Sequence, residues 1–354
     1  MDRRRCMIEL WYGIVALLLT TYVVLDGYDF GAGVLHLIVA KTDAERRQVL
    51  AAIGPYWDGN EVWLLASGGA LLVGFPKALA AGLSGYYLAI FLLLWTLIVR
   101  GISIELRSHV EAPLWRAFWD AAFCGASALL AILFGAALGN ILRGVSIGPD
   151  GWFSLPLFTD FSGRPPVGIL DWYTVLVAVF SLLALTAHGA AFLHWKTDGS
   201  VHARARNAGR VLFLVVAVLW PLVTYATHAV HPEFFSGFAS RPLAWVAAGV
   251  AIAGLVIACR SILRGRELAA FLGSAAFLAG LLGATAAGLF PVLLRSVGDP
   301  RASLTAYAAA NDAMGLKTAL SWLAIGLPLA VLYFVVVFRI HRGKVAGATG
   351  REGY

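Results

Sequence analysis

Charge is what this sequence has least of: 13% of its 354 residues are Asp, Glu, Lys or Arg, against about 25% in soluble domains. With 60% apolar residues, that scarcity excludes an ordinary soluble enzyme or binding module. Cysteine is also rare. Cys6, Cys124 and Cys259 are scattered and odd in number, so the sequence predicts neither a disulfide framework nor a metal site of CxxC or Cys/His spacing. No stretch shows strand alternation, and an open sheet cannot span lipid. An internal repeat is absent as well. The basic, apolar start MDRRRCMIELWYGIVALLLT is not followed by a small-residue cleavage site, so it is read as a retained first span. The net charge of +7 does not point to nucleic acid, because the Lys and Arg residues lie between apolar runs, where they set topology.

Long apolar runs are abundant. Nine of them, over 10–38, 56–75, 78–99, 114–142, 170–195, 211–230, 243–258, 268–294 and 316–338, reach or approach the ~20 helical residues that cross a bilayer. The expectation is an all-α, multi-pass membrane protein. A single membrane domain fills 1–354, with a first helical half over 8–143, a second over 168–340 and a flexible basic tail over 341–354. Most of the 27 Lys and Arg residues fall on the side reached after odd-numbered runs, which places the N-terminus outside and the C-terminus in the cytoplasm. Arg3, Arg4 and Arg5 oppose that bias, and translation from Met7 would remove them.

Within the runs a few polar residues stand out. Trp57, Asp58, Asn60 and Glu61 open the second one. On a helix Asp58 and Glu61 share a face, continued by Leu65 and Gly68. An acid near the bilayer centre costs roughly 2.5–3.5 kcal/mol on insertion scales, so this helix is expected to be the one the rest of the chain surrounds. Its small residues Ala66 to Ala70 suit close helix contact. Asp26, Asp29, Gly33 and His36 are spaced to fall on one face of the first helix, and Gly31 and Gly33 let another backbone come near. Gly135 and Gly139 form a GxxxG packing motif. Asp43, Glu45, Arg46 and Arg47 read as a charged loop, and Glu105, Arg107, His109 and Glu111 as solvated alternating charge. Trp152, Phe153, Phe158 and Phe161 read as a contact surface in an outer loop. His188, His194, His228 and His231 sit near helix ends, where interfacial histidines are ordinary.

DGYDFGAG in the first run, ERRQVLAAIGPYWDGNEVWLLASGGALLVGFP around the second and GLSGYYLAIFLLLWTLIVRGISIELRS after it resemble subunit II of the cytochrome bd family of quinol oxidases. The likeness is continuous over the first third and looser beyond. It implies two four-helix bundles plus one peripheral helix, nine spans in all, in the bacterial inner membrane. It implies a subunit I partner that ligates two haems b and one haem d and carries the quinol site, with a small single-span accessory subunit as a further partner. The implied reaction is quinol oxidation coupled to reduction of dioxygen to water, with protons drawn from the cytoplasm. By resemblance, Asp58 belongs to a proton path along the subunit interface. Glu61 would extend it and Asp26 and Asp29 would feed it, supported by Trp57, Asn60, His36 and Arg100. This subunit then carries no directly catalytic group. A proton-coupled secondary transporter is the alternative reading of the same intramembrane acids.

Overall fold

The first helix, α1 (Arg3–Val39), is the axis of the molecule. The computed structural model describes residues 3–148 and 150–345. After α1 come α2 (Asp43–Ile53), α3 (Trp57–Gly74), α4 (Pro76–Gly85), α5 (Tyr87–Leu106), α6 (Pro113–Arg143), α7 (Trp172–Lys196) and α8 (Gly199–Val230). The chain continues through α9 (Pro232–Ala239), α10 (Pro242–Arg264), α11 (Glu267–Leu289), α12 (Ala306–Ala309) and α13 (Ala313–Ile340). Among the described residues, eight of these helices are long and apolar enough to cross a membrane, and nine crossings result if α3 and α4, bent by 120°, form one broken span. The nine-span expectation therefore fits, and the chain is a multi-pass membrane protein.

Packing sorts the spans into two groups. In the first, α1 lies against α3 and α6, and α6 against α5. In the second, α7 pairs with α8 and α11, and α10 with α11 and α8. Helix α1 also reaches across to α7 and α11 and joins the two. Helix α13 touches only α1 and α3 appreciably, and none of its most apolar stretch is buried. It is the peripheral helix.

The surrounded helix is thus α1, not α3 as its acids suggested. The reason is close approach. A Cβ on Gly31 would lie 2.7 Å from the backbone nitrogen of Gly189 on α7, so the two helices cross glycine on glycine. Gly135 and Gly139 of α6 likewise face Ala178, Val177 and Thr174 of α7. In lipid, where tails are as apolar as leucine, such small-residue contact is what holds helices together. Gly68 and Gly69 of α3, by contrast, have nothing within 4 Å. The small-residue face of α3 is open on this chain.

Two local readings are corrected. Asp43 to Arg47 are not a loop but the first turn of α2, fixed by a capping box in which Thr42 and Glu45 satisfy each other's backbone N–H groups. The third span starts at Tyr87 rather than near residue 78, because Pro76 ends α3 and begins α4 in a new direction. The carbonyls freed at the end of α3 are taken by Asn311, whose backbone N–H donates to Gly74 O and whose amide donates to Val73 O. In the connection between α6 and α7, Phe153 is buried under Gly85 of α4, whereas Trp152, Phe158 and Phe161 are exposed. A short antiparallel pair, β1 (Val292–Leu294) and β2 (Leu304–Thr305), covers the same end. Of the tail 341–354, residues 346–354 lie outside the described residues. His341 O accepts from Tyr56 OH and Lys196 Nζ, and Val345 N–H donates to Lys196 O.

Candidate functional site

Half-way along α1 the chain places charge where no water reaches. Asp26 and Arg100 are both fully buried, and Arg100 Nη1 donates to Asp26 Oδ1 at 2.7 Å. The other guanidinium nitrogen, Nη2, donates to Glu61 Oε1 at 2.9 Å, and the group lies 4.6 Å from the Phe30 ring centre. One turn along α1, Asp29 accepts from the Asn60 amide at 2.8 Å, and the same amide donates to Tyr28 OH and Leu25 O. Three carboxyl groups from α1 and α3 therefore gather around one guanidinium from α5. An unpaired buried charge is far costlier than a paired one, which explains why Arg100 sits there.

A second cluster lies nearer the Val39 end of α1. His36 Nε2 and Asp120 Oδ1 are 2.6 Å apart. Arg107 donates to Asp120 at 2.5 and 3.2 Å and to Asp43 Oδ1 at 2.8 Å. Arg46 Nη1 donates to Asp120 Oδ2 at 2.9 Å, and Arg116 and Arg47 complete the ring around Asp43. Burial raises the Asp43 pKa, but the hydrogen bond and charge of Arg107, with Arg116 and Arg47, outweigh it, and the carboxyl is held below its ordinary range. This cluster has more base than acid and ties α1, α2, α5 and α6 together.

The face expected on α1 is therefore split. Asp26 and Asp29 join Glu61, Asn60 and Arg100, whereas His36 belongs with Asp120. Arg107, read as solvated, is 2% exposed. Asp120 was missed, although an acid inside an apolar run is the same signal that singled out Asp58. His36 Nδ1, Ser127 Oγ and Asp29 Oδ1 are buried polar atoms without a hydrogen-bond partner among the described residues; such atoms are uncommon.

Asp58 stands apart. It is exposed and lines a groove of about 830 Å³ between α3 and α13, with Gly59, Trp63, Trp322 and Tyr333 among its walls. Glu61, one turn on, has a side chain 28% exposed while bonded to Arg100. Glu61 is thus reached from the outer face of α3 and from the buried cluster. Trp57 is half-buried and its ring lies against Gly101 of α5.

The deepest histidine of the second bundle, His188, is hydrogen-bonded through both ring nitrogens, to Ser274 Oγ at 2.7 Å and to Val24 O at 2.9 Å. Nothing in that arrangement leaves a nitrogen free to face a haem iron.

Comparison with known proteins places the chain. It is 30% identical over 354 residues to the cytochrome bd-I ubiquinol oxidase subunit 2 of Escherichia coli K12, covering 92% of this chain and 91% of that one. It is 29% identical to a probable cytochrome oxidase subunit 2 of Haemophilus influenzae, over 92% of both. The fold is that of a chain in the bd oxidase structure of Geobacillus thermodenitrificans, with a TM-score of 0.70 at 19% identity, over 95% of this chain and 99% of that one. The family profile described as cytochrome bd terminal oxidase subunit II matches residues 7–341, and the chain belongs to that family.

Proposed function

We propose that this subunit II moves protons from the cytoplasm along its contact with the redox subunit, through Asp58 and then Glu61 on the open face of α3. The family reaction is quinol oxidation coupled to dioxygen reduction, which consumes protons. In this reading two haems b and one haem d are held by subunit I, together with the quinol site. The engaged ring nitrogens of His188 are in keeping with that. When bound there, the haems supply the electron transfer and the oxygen chemistry. This chain supplies carboxyl groups. The N-terminus lies outside and the α2 end in the cytoplasm, as the basic residues argue.

The observation that carries the reading is the double attachment of Glu61. Its carboxylate accepts from buried Arg100 while its side chain, one turn from Asp58, stays 28% exposed. A carboxyl group partly removed from water can give and accept a proton at modest cost. Arg100, backed by Asp26, keeps Glu61 turned along the helix surface rather than free in the groove. Asp29 of α1 and Asn60 of α3, hydrogen-bonded to each other, brace the same assembly. Three carboxyl groups around one guanidinium make a cluster able to retain a proton. The Asp120 cluster, with four arginines, makes an anchor. Family membership weighs against a secondary transporter.

The test is oxygen consumption by the purified complex. Asp58→Asn and Glu61→Gln are each expected to slow turnover by about tenfold or more while leaving the haem absorption spectrum unchanged. Normal turnover with normal proton uptake in both variants would overturn the proposal.

A further inference from the structure

At the Val39 end of the molecule, away from the acids of α3, three side chains converge that the oxidase reading does not use. His194 lies in the last turn of α7, His202 in the first turn of α8, and Glu267 is the first residue of α11. One potential ligand atom from each lies within 4.8 Å of the other two. His202 Nε2 and Glu267 Oε1 are 3.7 Å apart, and the two imidazole rings are 4.2 Å apart at 42°.

The second observation concerns hydrogen bonding. His194 is 1% exposed, yet neither of its ring nitrogens has a hydrogen-bond partner, and His202 Nδ1 is also buried without one. An imidazole taken out of water with nothing on either nitrogen is costly and uncommon. Around it stand the His202 imidazole and the Glu267 carboxylate, with the cationic groups of Arg206 and Lys344 beyond.

We propose that His194, His202 and Glu267 bind one divalent ion with the coordination chemistry of zinc. Two imidazole nitrogens and one carboxylate oxygen, with a fourth position for water, is a set that zinc takes in tetrahedral geometry. It is too rich in nitrogen for calcium or magnesium. Zinc bonds near 2.1 Å place tetrahedral ligand atoms about 3.4 Å apart, so modest side-chain rotation closes the set. Lys344 Nζ lies 2.7 Å from Glu267 Oε1. Without metal, that ammonium group occupies the carboxylate, and metal and Lys344 compete for it. Binding would clamp the α7–α8 turn to the start of α11 and release Lys344, while Val345 stays held by Lys196 O.

The test uses the intact oxidase complex, stripped with a chelator and equilibrated with zinc ions alone. Zinc per complex is measured by mass spectrometry of the metal, and the ligand shell by zinc-edge X-ray absorption. His202→Ala and Glu267→Gln are each expected to bind one zinc fewer than the unaltered complex. The difference spectrum should show two imidazoles. The side chains of His202 and Glu267 are 24% and 28% exposed, so both variants should assemble, and an unchanged haem spectrum checks that. A milder change, His202→Gln, serves should the alanine variant fail to assemble. Lys344→Ala is expected to half-saturate at about two- to fivefold lower free zinc, since one competing exposed ion pair is removed. Equal zinc content in the unaltered complex, His202→Ala and Glu267→Gln would overturn the proposal.

Discussion

Arg100 and Asp26 are 2.7 Å apart with neither side chain exposed at all. Removing one partner of such a pair costs about 3–5 kcal/mol, whereas replacing both by apolar groups of similar size is often neutral. Arg100→Met is therefore expected to cut the yield of assembled, haem-loaded complex severely. The double change Arg100→Met with Asp26→Leu should recover much of that yield. Thermal unfolding of the purified complex measures both. A double variant no better than the single one would show that Glu61, not Asp26, is the partner that matters.

The anchor around Asp120 offers a contrast within one network. Asp120 is fully buried among His36, Arg46 and Arg107, whereas the Asp43 side chain is 37% exposed. Asp120→Ala takes from buried Arg107 and His36 the carboxylate they share and should cost several kcal/mol. Asp43→Ala, its charge screened by solvent, should cost about 1 kcal/mol or less. Equal melting temperatures for the two variants would contradict the assigned burial.

Helix crossing makes a third prediction. Gly189→Val puts a branched side chain against the backbone of Gly31 and should prevent α1 and α7 from meeting. Overpacking typically costs about 1–3 kcal/mol and more when the backbone itself must move. Gly68→Val, with nothing within 4 Å, should leave this chain's own fold intact. Loss of pairing with the redox subunit in that variant would identify the open face of α3 as the contact.

Glu45 supplies a prediction in pH. It accepts from Arg204 Nη1 and Nη2 at 3.0 and 2.9 Å and from the backbone N–H groups of Lys41 and Thr42. The Arg204 hydrogen bonds, then the backbone ones, outweigh its partial burial and lower its pKa from 4.5 to about 2. A carboxyl lowered on folding contributes stability that is complete above its unfolded value and fades as pH falls toward the folded one. Between pH 4.5 and 2, Glu45→Gln should therefore show a shallower fall in melting temperature than the unaltered complex. Parallel curves would remove Glu45 from the account.

Much of this was legible in the sequence because lipid makes composition speak. Nine apolar runs are consistent with the eight spanning helices and the bent α3–α4 pair. The spacing of Asp26 and Asp29 puts both on one face of α1, and in the fold both are buried. Three things were not legible. Periodicity ranks faces within one helix but does not say which helix has neighbours on all sides, so α3 was taken for the axis that α1 occupies. Asp43, Glu45 and their arginines looked like loop because their charge masks the Thr42 and Glu45 caps of α2. Arg107 and Asp120 are thirteen residues apart with Pro113 between them, and only the return of α6 alongside α5 brings them together. His194 reads as an ordinary histidine at a helix end and His202 draws no attention, because only the turn between two helices sets them ring to ring.

Helix α13 takes hydrogen bonds from the rest of the chain at its two extremities, while Phe334 between them packs on Trp63. At one extremity Trp11 Nε1 donates to Leu316 O. At the other Phe338 stacks on Tyr56, and His341 O is gripped from two directions. Midway lies Pro328, where a rung of the helical ladder is missing. The wall that α13 gives the slot beside Asp58, which includes Trp322, Gly326 and Ala330, is thus the part of that helix farthest from its anchored ends.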